Sequence, residues 1–111
     1  MLPDRGDLVW IDFTPQAGHE QAGRRPALVL SPHSYHQRTP FAVVCPITSK
    51  AKGYPFEILL PEGSPISGVV LVDQIKSLDR RIRLIEPAGK VSPDVLQHVL
   101  AKLAPLLALR L

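Results

Sequence analysis

Apolar runs in this chain are short, and nearly all of them stop at a proline or a glycine. Proline occurs 12 times in 111 residues, more than twice ordinary usage (about 5%). The prolines are scattered, so they punctuate short strands and do not form a low-complexity tract. The spacing predicts strands over 8–13, 25–31, 41–48, 55–60 and 68–74, a half-exposed continuation over 75–79, and another over 82–85. Pro46 cannot donate to a ladder, so the third strand is expected to be bent or at an edge. Pro32 to His36 reads as a single helical turn, with Ser31 as N-cap.

One helix is clear. Ser92 is its N-cap, Pro93 its first residue and Asp94 the first-turn acid that suits the macrodipole. Val95, Leu96, Val99, Leu100 and Leu103 follow at helical spacing as one apolar stripe. Pro105 is expected to end or kink this helix. The tail Leu106-Leu107-Ala108-Leu109 is too apolar for a free end and is expected on the sheet or in a subunit interface. Short strands followed by a C-terminal helix point to a mainly β fold, a small, strongly bent antiparallel barrel with a helix packed on it. The length suits one domain over 1–111 with a real core.

Cys45 is the single cysteine and lies in an apolar run, so it reads as a buried small hydrophobe. No apolar run approaches the ~18–20 residues that span a bilayer. The first residues carry no apolar signal core. A soluble, cytoplasmic protein without membrane contact is therefore expected. The formal charge of +3 permits a polyanionic partner. Positive charge gathers at Arg24/Arg25, Lys50/Lys52 and Arg80/Arg81/Arg83. Four histidines and one thiol give no paired ligand spacing, so no metal or other cofactor is expected.

The candidate chemistry lies in Gly18-His19-Glu20-Gln21-Ala22-Gly23-Arg24-Arg25-Pro26, which runs into the apolar strand Ala27-Leu28-Val29-Leu30-Ser31. A Gly-bounded loop carries a carboxylate and delivers two guanidiniums to the start of a strand. On local chemistry alone, Glu20 and Arg25 read first as a surface ion pair. The other reading is RNA cleavage by the substrate's own 2′-hydroxyl. That reaction needs a proton acceptor, charge stabilisation of a phosphorane and a way to release the 5′-oxygen. A loop carboxylate supplies the first and a guanidinium fork the second.

This segment resembles the G-x-E-Q-x-G-x-R-P segment of MazF/PemK-type toxins, the mRNA interferases of bacterial toxin–antitoxin systems. Gly6-Asp7-Leu8-Val9-Trp10-Ile11-Asp12-Phe13 resembles the family's opening strand. Lys52-Gly53-Tyr54-Pro55-Phe56-Glu57 resembles its K-G-Y-P-F-E segment, and Asp73-Gln74-Ile75-Lys76-Ser77 its D-Q-[VI]-K-[ST] strand. The resemblance implies an SH3-like barrel of the CcdB/PemK type acting as a homodimer. It implies metal-independent, sequence-specific cleavage of single-stranded RNA to 2′,3′-cyclic phosphate and 5′-hydroxyl ends. It also implies inhibition by a cognate antitoxin whose acidic tail occupies the RNA groove.

Carried over by position, Glu20, Arg25 and Thr48 are the catalytic candidates. The resemblance does not apportion proton duties among them. Chemistry favours Glu20 as base, Arg25 as phosphorane stabiliser and Thr48 as positioning donor. Gln74 and Lys76 match positions facing the substrate or the dimer seam. Phe13 is expected to stack a base, and Arg24, Lys50 and Lys52 to contact RNA. His19 stands where relatives more often carry serine, and reads as a loop histidine or a proton-transfer helper. The rivals are a CcdB-like poison of DNA gyrase, which needs no Glu20/Arg25/Thr48 set, and an inactive RNA- or antitoxin-binding homologue.

Overall fold

The computed structural model describes residues 2–13 and 23–110. Glu20 and His19 lie outside the described residues, as does most of the loop expected over 16–23.

The described elements are β1 (Asp7–Asp12), β2 (Arg24–Val29), α1 (His33–His36), β3 (Phe41–Thr48), β4 (Glu57–Leu59), β5 (Val69–Leu71), β6 (Lys76–Asp79), β7 (Ile85–Lys90) and α2 (Pro93–Leu106). All ladders are antiparallel, in the order β4-β5-β3-β2-β1-β7, with β6 also on β3. The expected mainly β fold with a C-terminal helix is therefore present. Among the described residues the sheet stays open, with β4 and β7 at the ends of its order, so "barrel" holds only loosely.

β3 is central, not at an edge. Its first half pairs β6, from Phe41↔Asp79 to Val44↔Lys76. Its end pairs β5, through Ile47↔Val70 and Thr48↔Val69. Pro46 falls between these ladders, where a missing N–H interrupts neither of them.

Strand alternation divides the apolar residues between two faces. Leu8, Leu28, Cys45, Ile47 and Val70 join Val95, Val99 and Leu103 of α2 in one core. Val9, Ile11, Phe13, Ala27, Val29, Val44 and Leu78 form the other. Each fully buried side chain of this size contributes roughly 1.5–3 kcal/mol.

Several expectations shift. The run 68–74 is not one strand: Val72–Gln74 form a 3₁₀ turn between β5 and β6. The strand expected over 82–85 begins only at Ile85, and Ile82 and Leu84 are exposed. Arg81 clamps both carboxylate oxygens of Asp79 and holds that carboxyl down at about 2, while Arg80 donates to the carbonyls of His36 and Thr39. These bonds close a turn where the sequence pattern suggested extended chain.

Ser31 does not cap α1. Its hydroxyl accepts the Val43 N–H (2.8 Å) and meets His36 Nε2 (2.7 Å). His36 Nδ1 faces the Pro3 carbonyl at 2.7 Å. A carbonyl only accepts, so Nδ1 carries the proton and this buried histidine is a structural latch.

In α2, Ser92 Oγ accepts the Val95 N–H, as expected of an N-cap. Pro105 does not end the helix, which runs to Leu106, because it forfeits a single hydrogen bond in the last turn. The stop comes at Ala108 (φ 56°), where Leu109 N–H reaches the Ala104 carbonyl and Ala108 N–H that of Pro105. Leu106, Leu107 and Leu109 remain exposed and do not cover the sheet.

Two outcomes follow. Burial pushes the Cys45 thiol up to about 12, with Asp73 adding to the effect. Native protein should therefore resist iodoacetamide at pH 8 and react fully in urea; intact mass measures both. A Cβ on Gly68 (φ +125°) would lie 2.3 Å from the Thr48 carbonyl oxygen. Gly68→Ala should cost about 2–4 kcal/mol, read from the urea midpoint.

Candidate active site

The ladders bring four strands' worth of side chains to one surface. Ala27 stands opposite Pro46. Continuing that antiparallel register by two residues on each strand sets Arg25 across from Thr48, on the same face. Thr48 is paired with Val69, and Leu71, on Val69's face, is paired with Glu57. Arg25, Thr48, Leu71 and Glu57 therefore look the same way. They line one open cleft of about 560 Å³ together with Lys50, Lys52, Tyr54, Asp73 and Gln74.

Each side chain is held. Arg25 sits at the start of β2, paired with Ile11 of β1. Thr48 is 5% exposed, and its Oγ1 accepts the Lys50 N–H at 3.2 Å, which leaves its own proton to donate. The 3₁₀ turn Val72–Gln74 brings Asp73 and Gln74 to the cleft. The Glu57 carboxylate accepts the N–H groups of Lys52 (3.1 and 3.2 Å) and Gly53 (3.0 Å), folding the basic loop back on β4. Gly53 has φ +76°, a conformation that favours glycine.

Among the sequence-predicted residues, Arg25, Thr48, Lys50, Lys52 and Gln74 come together in this cleft. Lys76 lies next to it, lining an adjoining depression that shares Asp73 and Gln74. Its ammonium is 5.5 Å from the centre of the Phe13 ring.

One expectation needs correction, and another is placed outside this cleft. Phe13 borders the Lys76 depression but is 1% exposed and packed in the core with Ile11, Val29 and Val44, too covered to stack a base. Arg24, just before Arg25, points to the opposite face, as alternation requires. Its guanidinium lies 4.9 Å from the Trp10 ring centre and pairs with Glu86 at 3.2 Å. It packs along β1 and β7 outside the Thr48 cleft and lines a neighbouring depression together with Arg25 and Ser49. The Phe13 N–H donates to the Gly23 carbonyl at 2.9 Å, which ties together the two residues flanking 14–22.

Tyr54, Glu57 and Asp73 line the cleft without having been singled out individually. An aromatic inside a basic loop, and an acid four residues after a Lys-Gly pair, were the available signals. Among the described residues no group of three or more His, Cys, Asp or Glu side chains could hold a metal ion. Among them, too, no helix is long and apolar enough to cross a membrane.

Comparison with known proteins agrees with this architecture. The endoribonuclease toxin MazF of Escherichia coli K12 is 48% identical over 102 residues, covering 92% of this chain and 91% of that protein. The crystal structure of MazF from Deinococcus radiodurans superposes with a TM-score of 0.93 at 55% identity, covering 98% of this chain and 99% of that one. A MazE–MazF crystal structure from the same organism gives a TM-score of 0.87 at 48% identity, with 99% of both chains covered. Residues 4–107 match the family described as the PemK-like, MazF-like toxin of type II toxin–antitoxin systems, and the chain belongs to that family.

Proposed function

We propose that this chain is a toxin endoribonuclease, one domain over 1–111, that cuts single-stranded RNA at short sequence motifs. The single observation that carries this reading is the convergence of Arg25 and Thr48, with Lys50 and Lys52, on one cleft face. Three cations and a hydroxyl donor suit a phosphodiester.

The reaction uses the substrate's own nucleophile. The 2′-oxygen attacks the adjacent phosphorus, and its proton passes to Glu20. The bond to the 5′-oxygen breaks, that oxygen takes a proton from solvent water, and Glu20 returns its own proton to solvent. The products are a 2′,3′-cyclic phosphate and a 5′-hydroxyl. Arg25 neutralises the extra negative charge that builds on the phosphorane oxygens, through the planar fork of its guanidinium. Thr48 donates its remaining proton to a phosphate oxygen, from a position fixed by the Lys50 N–H. No step requires a metal ion.

The MazE–MazF neighbour supports a cognate antitoxin as partner, and an acidic antitoxin tail suits a cleft bearing Arg25, Lys50 and Lys52. The exposed Leu106, Leu107 and Leu109 support a homodimer, because an apolar tail left in water gains by being covered. The working compartment is the cytoplasm, where mRNA is found. The relatives named above are MazF proteins and not gyrase poisons, and the Arg25/Thr48 pair has no place in a poison's mechanism.

Two measurements test the proposal. Purified protein should cut a long RNA transcript fully in EDTA, leaving cyclic phosphate ends visible by mass spectrometry; strict dependence on added Mg²⁺ would refute the mechanism. Arg25→Ala should keep the wild-type circular dichroism and lose about 10²–10³-fold in kcat, the scale of losing one main charge stabiliser. A folded Arg25→Ala protein of normal activity would refute the assignment.

A further inference from the structure

Phe13 is closed off in the core, yet the cleft does present one aromatic face to solvent. Tyr54 is 60% exposed, and it lines the cleft beside Lys50 and Lys52. An exposed tyrosine ring contributes almost nothing to the core, so folding alone does not explain its place.

Its backbone, by contrast, is tightly constrained. The Glu57 carboxylate holds the N–H groups of Lys52 and Gly53 just before Tyr54. The Glu57 N–H donates to the Tyr54 carbonyl at 3.1 Å, and Pro55 fixes the next φ. One residue thus clamps the chain on both sides of the ring. The Lys52 ammonium lies 5.9 Å from the ring centre. The result is a preorganised aromatic ring with a cation over one face, lining the same cleft as Arg25 and Thr48.

The charge pattern says what the platform faces. The cleft also carries the carboxylates of Asp73 and Glu57. Those two carboxylates offset most of the charge of Arg25, Lys50 and Lys52, so the cleft has little positive charge left for a second phosphate, and an uncharged base is the better fit to the ring. Aromatic faces stack bases of any identity, at about 1–3 kcal/mol each.

We propose that Tyr54 stacks one nucleobase of the RNA flanking the cleaved bond, and that Glu57 is the positioning residue that holds the ring in place. This rests on the endoribonuclease reading above and adds to it the aromatic contact that Phe13 cannot make.

The test uses the purified full chain. A cleavage site is first mapped with wild-type protein on a long transcript. A ten-nucleotide RNA carrying that site is then made with a 2′-deoxy sugar at the scissile nucleotide, so that it binds without being cut. Fluorescence anisotropy should show Tyr54→Ala weakening Kd about tenfold, with Tyr54→Phe and Tyr54→Trp within twofold of wild type. Removing single bases from the oligonucleotide should cost the wild type the same factor at one position and cost Tyr54→Ala nothing further there. Glu57→Ala should reproduce the Tyr54→Ala loss on the intact oligonucleotide and show the same insensitivity at that position, a pattern that general loosening of the fold would not produce. Unchanged Kd for Tyr54→Ala, or equal losses at every abasic position, would overturn this inference while leaving the endoribonuclease reading intact. Wild-type protein that neither cuts nor binds RNA would overturn both.

Discussion

The site depends on β3 serving two ladders. Its first half is committed to β6 and its end to β5, while β2 runs along its other edge. Thr48 belongs to the part that has left β6 behind. If β6 had continued along β3, its side chains would occupy the ground where β5, β4 and the 3₁₀ turn now stand. The cleft is the gap opened by that exchange of partners. Pro46 sits at the exchange, where its lack of a donor interrupts neither β6 nor β5. Gly68 completes the arrangement from the other side, because only a residue without Cβ lets β5 begin so close to the Thr48 backbone.

Alternation then assigns roles to neighbours that look equivalent in the sequence. Arg24 and Arg25 are adjacent, but a strand sends them to opposite faces. Arg25 joins Thr48 in the cleft. Arg24 covers Trp10 and pairs with Glu86, both partners being about half exposed, so the pair contributes little to stability. The same rule puts Cys45 in the helix-side core and Thr48 on the cleft side, three residues apart. Behind the cleft, Cys45 lies close enough to Asp73 for that carboxylate to help raise its thiol. A nucleophile is thus kept neutral next to a site that has no use for one.

Much of this was legible in the sequence, for physical reasons that differ by element. β3 was read at its full observed length, because a continuous apolar run bounded by polar turns admits little else. The N-cap of α2 was legible because Ser-Pro-Asp satisfies the local rules of a helix start. Pro105 misled because the rule against helix-interior proline weakens in a last turn. Phe13 misled because a terminal strand residue can turn either way, and the core on that side had room for it. Ile82 to Ile85 looked like a strand because it is mostly apolar, whereas Arg80 and Arg81 hold a turn just before it by donating to distant carbonyls and to a local carboxylate. The cleft's membership was harder to read than its centre. Arg25 and Thr48 were found through motif positions, but Glu57 shows its role only when the fold brings it back under Gly53.

The mixture of charges in the cleft bears on how a glutamate can act as a base. A carboxylate near Arg25, Lys50 and Lys52 is favoured in its ionised form and is correspondingly weak as a proton acceptor. Asp73 and the largely satisfied Glu57 offset only part of that positive charge. An RNA phosphate changes the balance by bringing its own negative charge to the same cations and by displacing water from the cleft. Both effects raise a neighbouring carboxylate's affinity for a proton. A carboxylate base beside these cations would under the proposed reading work best with substrate seated. The cations that bind the phosphate in the ground state are then the groups that stabilise it as charge develops, so one set of side chains couples binding to proton transfer.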